Sequence, residues 1–257
     1  MDLRSKLAAF TDSLFARKSE PIDSHNLCYW KTDIHSHLLP GVDDGVSTEE
    51  QTLICLRQFA DWGIEHVITT PHVSQDWFPN SYDTLIKGRE TLQELVTQHN
   101  LDLTIDIAAE YLLDDRFLEL LDSGQLLSFG KERYVLIENG WSAAPYFLET
   151  ILFRIQTKGY TPILAHPERY TYYFPTPQEL QKLRDAGCLF QLNWGSLTGR
   201  YGSKVKQQAQ QFLKQKWVDF IGSDLHRPSD LKSLETLFSS PDYKLLQQQP
   251  LRNQDIY

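Results

Sequence analysis

The sequence predicts an α/β fold, a parallel barrel of about seven β-then-α units, on three observations. Seven short apolar runs recur along the chain, helix-length amphipathic segments separate them, and histidines and acids gather where the runs end. An open doubly wound sheet is the topological rival, because it uses the same alternation.

The chain starts with an extension, residues 1–30, in which Leu3, Leu7, Phe10 and Leu14 fall at helical spacing. Such a stripe docks on its own domain or on a partner subunit, which is compatible with a homo-oligomer. The strand-like runs follow: KTDIH (31–35), EHVITTPH (65–72), LTIDIAAE (103–110), YVLIE (134–138), TPILAH (161–166), CLFQLN (188–193) and VDFIGSD (218–224). They are short and largely β-branched or aromatic, as suits strands buried on both faces. The first intervening segment, TEEQTLICLRQFADWG, places Leu53, Leu56, Phe59 and Ala60 on one helical face and ends at Gly63. Helical spacing also fits 81–99, 145–158, 177–186, 203–216 and 229–238.

Composition narrows the function classes. A chain of 257 residues with 41% hydrophobic and 12% aromatic content has enough apolar surface for one large domain, assigned to residues 31–257. The net charge of −9 opposes nonspecific binding to nucleic acid. Cys28, Cys55 and Cys188 are odd in number and lack CxxC spacing, so neither a disulfide framework nor a thiolate metal site is expected. The sequence contains no apolar run of bilayer length and no N-terminal signal-like stretch, so stable membrane insertion is not expected and a cytoplasmic location is.

Parallel β/α barrels carry their chemistry at the carboxyl ends of the strands. There the sequence places His35 and His37 after the first strand, His72 at the second, Glu110 at the third, Glu138 at the fourth, His166 at the fifth, and Asp224 and His226 at the seventh. Asp43 and Asp44 lie in the loop after the first strand. A lone histidine or acid at a strand end is usually a hydrogen-bonded structural residue. A ring of them is different, because grouped carboxylates repel unless cations neutralise them. The set suggests a multinuclear metal centre, and imidazole mixed with carboxylate suits manganese, iron or zinc. His-X-His on an extended strand sends both imidazoles to one face. Arg169 in HPERY and Arg227 in DLHRP are candidates to grip phosphate through two donors at once, with a surface ion pair as the plainer reading of each.

The ordered set DIHSHLLPGVDDG, TTPH, AAEY, LIE, AHPERY and GSDLH resembles the polymerase and histidinol phosphatase superfamily, over roughly residues 31–238. More narrowly it resembles the bacterial manganese-dependent protein-tyrosine phosphatases of capsule and exopolysaccharide loci. Asp44 in GVDDG and Glu138 in LIE, where many superfamily relatives have histidine, point to that branch. The resemblance implies a distorted TIM-like (β/α)7 barrel with three divalent ions, manganese foremost. By the same resemblance, His35, His37, Glu110 and Asp224 surround one ion, and Glu110 bridges to a second held by Glu138 and His166. Asp44, His72 and His226 hold the third.

Arg169 matches the family's phosphate-contacting arginine. Arg227 departs from the pattern, since the family's second arginine stands several residues beyond the last histidine. The implied substrate is the phosphotyrosine tail of a bacterial tyrosine autokinase, with water activated by the metal ions as nucleophile. Trp77, Phe78, Tyr111 and Trp194 could stack on its rings or equally pack the core. Thiol-dependent phosphatases need Cys followed six positions later by Arg, and here those positions hold Ile34, Asp61 and Trp194. Two rival functions are a small-molecule phosphomonoesterase, such as a histidinol-phosphate phosphatase, and a non-catalytic metal-stabilised regulatory binding protein.

Overall fold

The computed structural model describes residues 26–256. The stripe Leu3, Leu7, Phe10 and Leu14 lies outside the described residues. The end of the predicted extension does not stand apart from the core: Cys28 and Trp30 are buried, and the Cys28 amide donates to the Trp62 carbonyl at 2.8 Å.

Among the described residues every strand pairing is parallel. In chain order the strands are β1 (Thr32–Asp33), β2 (His66–Thr69), β3 (His72–Val73), β4 (Thr104–Ile107), β5 (Glu110–Leu112), β6 (Tyr134–Glu138), β7 (Thr161–Ala165), β8 (Leu189–Asn193) and β9 (Phe220–Gly222). They form two sheets, β1-β2-β4 and β3-β5-β6-β7-β8-β9. β2 and β3 are one strand position interrupted at Pro71, which has no N–H to donate. The Ala108 amide donates to the Thr69 carbonyl and the Glu110 amide to the Pro71 carbonyl, so β4 and β5 carry the pairing across the break. Seven strand positions result, as the sequence predicts.

The ring closes at a seam between β1 and β9. A single bridge, Ser36 to Leu225, joins them there, flanked by amide bonds from Asp224 to the His35 carbonyl (2.7 Å) and from His37 to the Leu225 carbonyl (2.9 Å). Side chains replace the missing ladder. Asp33 accepts from the Ser223 amide and hydroxyl, and Asn253 accepts from the Ile221 amide while donating to the Thr32 and Ile221 carbonyls. The barrel thus closes through one bridge and side-chain hydrogen bonds rather than a full ladder.

Helices cover the outside: α1 (Glu49–Asp61), α2 (Tyr82–Gln98), α3 (Asp115–Ser123), α4 (Leu148–Thr157), α5 (Pro177–Asp185), α6 (Trp194–Thr198), α7 (Ser203–Gln215), α8 (Leu231–Glu235) and α9 (Pro241–Leu246). Thr48, Ser81 and Asp114 cap α1, α2 and α3 through their side-chain oxygens, each worth about 1 kcal/mol. In α1 the buried face is Thr52, Cys55, Leu56 and Phe59, so Leu53 and Ala60 flank it rather than form its centre. The sequence reading missed the short helices α3, α6 and α9.

Strand alternation sorts the core into two layers. One face of the strands supplies the outer cluster with residues such as Val67, Ile107, Val135, Ile137, Leu164 and Ile221. The other face fills the barrel interior with Ile68, Ala108, Leu136, Ile163, Ala165 and Phe220. Two residues beyond Ala108 and Leu136 come Glu110 and Glu138, so the period of two that plugs the barrel floor also aims acids into its mouth.

Candidate metal centre

All nine predicted ligand residues meet at the carboxyl-end mouth. Glu110 is the hub, and it lies inside the mouth rather than at a strand end because β5 continues to Leu112. Its carboxylate is 3.1 Å from His35 Nε2, 3.4 Å from His37 Nε2, 3.2 Å from His72 Nδ1 and 3.0 Å from His166 Nε2. Asp224 Oδ1 lies 3.5 Å from His35 Nε2 and 3.4 Å from both His37 Nε2 and His226 Nδ1. Glu138 is 3.7 Å from His166 and 3.8 Å from His72. Asp44 Oδ1 is 3.4 Å from His226 Nε2 and 3.7 Å from His72 Nε2.

Four overlapping groups have the spacing to hold an ion: His37 with Asp44, His72 and His226; His35 with His166 and Asp224; His35 with His37 and Glu110; and His72 with Glu110 and Glu138. His35, His37, His72 and Glu110 each belong to two of them.

The tautomers are set from behind. His35 Nδ1 donates to Gln191 Oε1 at 2.8 Å, His37 Nδ1 to Asp43 Oδ2 at 2.8 Å, and His226 Nδ1 to the Asp224 carbonyl at 3.0 Å. Each Nε2 is left to present a lone pair to the mouth. The His35 and His37 Nε2 atoms lie only 3.3 Å apart. Two lone pairs and two carboxylates aimed at one point repel unless a proton or a cation sits among them.

The titration behaviour follows from this crowding. Burial pushes Glu138 well above the ordinary carboxylate range, and the Glu110 and Asp224 charges push it further. Burial would raise Glu110 too, but the imidazoles of His35 and His72 outweigh it and hold it well below that range. Burial lowers His166 to about 4, with the Arg169 charge adding to the effect. His166 Nδ1 is also buried without a hydrogen-bond partner. Mixed imidazole and carboxylate donors in such repulsion fit divalent cations. The cysteines are all buried, and none belongs to these groups.

Local backbone serves the geometry. His166 (φ 35°) and Asp224 (φ 50°) occupy the left-handed region, a strain of about 1–3 kcal/mol each that the surrounding network must hold. Gly45 of GVDDG has to be glycine, since a Cβ there would lie 2.3 Å from the His37 carbonyl oxygen.

Arg169 donates to Asp224 Oδ2 at 2.7 Å. Its Cζ lies 4.6 Å from the ring centroid of Trp141 and 4.1 Å from that of Tyr201. Arg227 is exposed, and among the described residues no side-chain hydrogen bond or ion pair ties it to the mouth.

The sequence reading missed several neighbours. Gln191 Nε2 donates to Asn193 Oδ1, and Asn193 Nδ2 donates to Asp224 Oδ2 at 2.6 Å, so β8 supports the site without supplying a predicted ligand. The period of two along LFQLN was the signal that both amides point inward. Asp43, noted in the loop without a role, orients His37. Among the aromatics, Tyr111 and Trp194 belong to the core: the Tyr111 hydroxyl accepts from the Leu127 amide, and Trp194 packs edge-on to Trp30. Phe78 stacks on His72 at 5.3 Å, whereas Trp77 is 78% exposed.

Known proteins resemble this chain in sequence and in fold. The model of the family described as "Capsular polysaccharide synthesis, CpsB/CapC" matches residues 31–233. The tyrosine-protein phosphatase YwqE of Bacillus subtilis is 29% identical over 194 residues, 76% of this chain and 76% of its own. The putative tyrosine-protein phosphatase CapC of Staphylococcus aureus is 28% identical over 206 residues, 79% of this chain and 81% of its own. A crystal structure from work on YwqE of Bacillus subtilis and CpsB of Streptococcus pneumoniae, described there as unique metal-dependent tyrosine phosphatases, superposes with a TM-score of 0.72. It is 27% identical and covers 86% of this chain and 96% of its own.

Proposed function

The chain belongs to the CpsB/CapC family of capsular polysaccharide synthesis proteins, and from that premise we propose that it is a metal-dependent protein-tyrosine phosphatase. The observation that carries the reading is Glu110, a buried carboxylate approached by four imidazoles at 3.0–3.4 Å. A carboxylate so placed is suited to bridge cations.

The ligand assignment is part of the proposal: His35, His37, Asp44, His72, Glu110, Glu138, His166, Asp224 and His226 hold three divalent ions, manganese foremost. Such ions, when bound, polarise a phosphoryl group and supply an acidified water as nucleophile. The chain's own residues do the rest. Gln191, Asp43 and the Asp224 carbonyl keep three imidazoles in the tautomer that faces the mouth. The Arg169 guanidinium lies against the rings of Trp141 and Tyr201 and spends one of its five in-plane N–H donors on Asp224. The others are available to nonbridging phosphate oxygens. A tyrosine leaving group has a pKa near 10, well below that of an alkyl alcohol, so the demand on a general acid is modest.

The substrate we propose is phosphotyrosine in the tail of a bacterial tyrosine autokinase that controls capsule or exopolysaccharide synthesis, on the cytoplasmic side. The family's description supports the setting, and no described helix is long and apolar enough to cross a membrane. The test is metal content coupled to release of phosphate from a phosphotyrosyl peptide on one purified sample. Turnover that tracks bound metal is the expected result. Metal without turnover would favour a binding protein, and faster turnover of histidinol phosphate would favour a small-molecule phosphatase.

A further inference from the structure

Trp141 follows β6 and lies over the mouth. Its indole stacks on the His166 imidazole with centroids 5.6 Å apart and planes 12° apart, and it covers one side of Arg169. It is nevertheless 53% exposed, an unusual state for a ring with two such neighbours. Three tyrosines of the segment that also carries His166 and Arg169 pin the root of its loop. The Tyr170 hydroxyl accepts from the Asn139 amide (3.0 Å), the Tyr173 hydroxyl accepts from Asn139 Nδ2 (3.3 Å), and the Tyr172 hydroxyl donates to the Gly140 carbonyl (3.3 Å). A residue whose loop is fixed this firmly, and whose ring is left half in water beside a phosphate-gripping arginine, is placed to meet something outside the protein.

We infer that Trp141 is a specificity-determining residue, whose indole forms the wall against which the aromatic ring of an aryl phosphate packs while Arg169 holds the phosphate, so that aryl esters are selected over alkyl esters. This rests on the phosphatase reading given above. The chemistry of the neighbourhood supports an aromatic occupant. The indole has a broad apolar surface that an alkyl phosphate, with only a methylene beside its ester oxygen, would leave wet. Offset or edge-to-face contact between two rings adds to the area buried. Because Arg169 and Trp141 touch, one substrate can engage both at once.

The experiment compares the metal-loaded protein, Trp141→Ala and Trp141→Phe on two peptides of one sequence, bearing phosphotyrosine or phosphoserine. The ratio of kcat/KM between them should fall about three- to tenfold in Trp141→Ala, mainly through KM for the phosphotyrosyl peptide, and Trp141→Phe should restore most of it. Metal content measured on each sample should be equal. An unchanged ratio in Trp141→Ala, where the unsubstituted enzyme does prefer phosphotyrosine, overturns the assignment of Trp141 alone. Loss of metal with an equal fall on both peptides also overturns it, since the indole would then serve His166 rather than substrate. An unsubstituted enzyme without preference for phosphotyrosine would instead remove the functional reading on which the inference stands.

Discussion

His35 and Gln191 stand 156 residues apart in the chain, and His35 Nδ1 donates to Gln191 Oε1 at 2.8 Å. The same amide oxygen accepts from the His166 backbone, and the amide nitrogen continues through Asn193 to Asp224. One side chain that supplies no predicted ligand thus orients three that do.

Gln191→Leu keeps the volume and removes the acceptor. Metal affinity should fall by about 10- to 100-fold with the fold retained, and Gln191→Glu, which keeps an oxygen there, should lose less. Calorimetric titration of the metal-free protein with manganese measures both, and equal affinity in all three proteins would refute the role.

Glu110→Gln preserves shape and removes the charge that four imidazoles face. It should lose more metal than Gln191→Leu, and turnover with it. Mass-spectrometric metal counting decides the point independently of activity. Replacing His35 or Asp224 by alanine should likewise abolish turnover while the circular dichroism spectrum stays folded.

Chelation should destabilise the protein as well as inactivate it, because Glu138, Glu110 and Asp224 are left to repel one another. Manganese at about 100 times its Kd should stabilise the chain by about 2.7 kcal/mol. Thermal unfolding with and without the ion reads this directly, and identical Tm values would contradict a site built around cations.

Arg169→Lys retains the positive charge but loses the planar fork and its contact with the Trp141 and Tyr201 rings. The cost should be about 1.5–3 kcal/mol, roughly 10- to 150-fold in kcat/KM. Arg227→Ala, at an exposed position, should cost much less. Steady-state kinetics on a phosphotyrosyl peptide compares them, and a larger effect at Arg227 would reverse the ranking.

Asn253 closes the barrel seam with three buried hydrogen bonds. Asn253→Ala should cost about 2–4 kcal/mol, since it strands partners on both sides of the seam. Urea unfolding gives the value, and a change below about 0.5 kcal/mol would mean that the seam closes without it.

The sequence by itself determined the strand count, the parallel α/β class and the nine histidines and acids that meet at the mouth, because strand alternation and strand-end position are local properties of the chain. Period two makes Glu110 and Glu138 point where Ala108 and Leu136 point, and DIHSH carries two imidazoles on one short stretch. The tertiary structure decided what lies behind and above them. Gln191 meets His35 and Asn253 bridges β1 and β9 only because the barrel closes, and Trp141 covers His166 because β6 and β7 pair side by side. Trp194 and Tyr111, indistinguishable from Trp141 as aromatics in the sequence, went to the core. Contacts between residues far apart in the chain depend on how the layers pack, and no local spacing encodes which ring faces water and which faces the core.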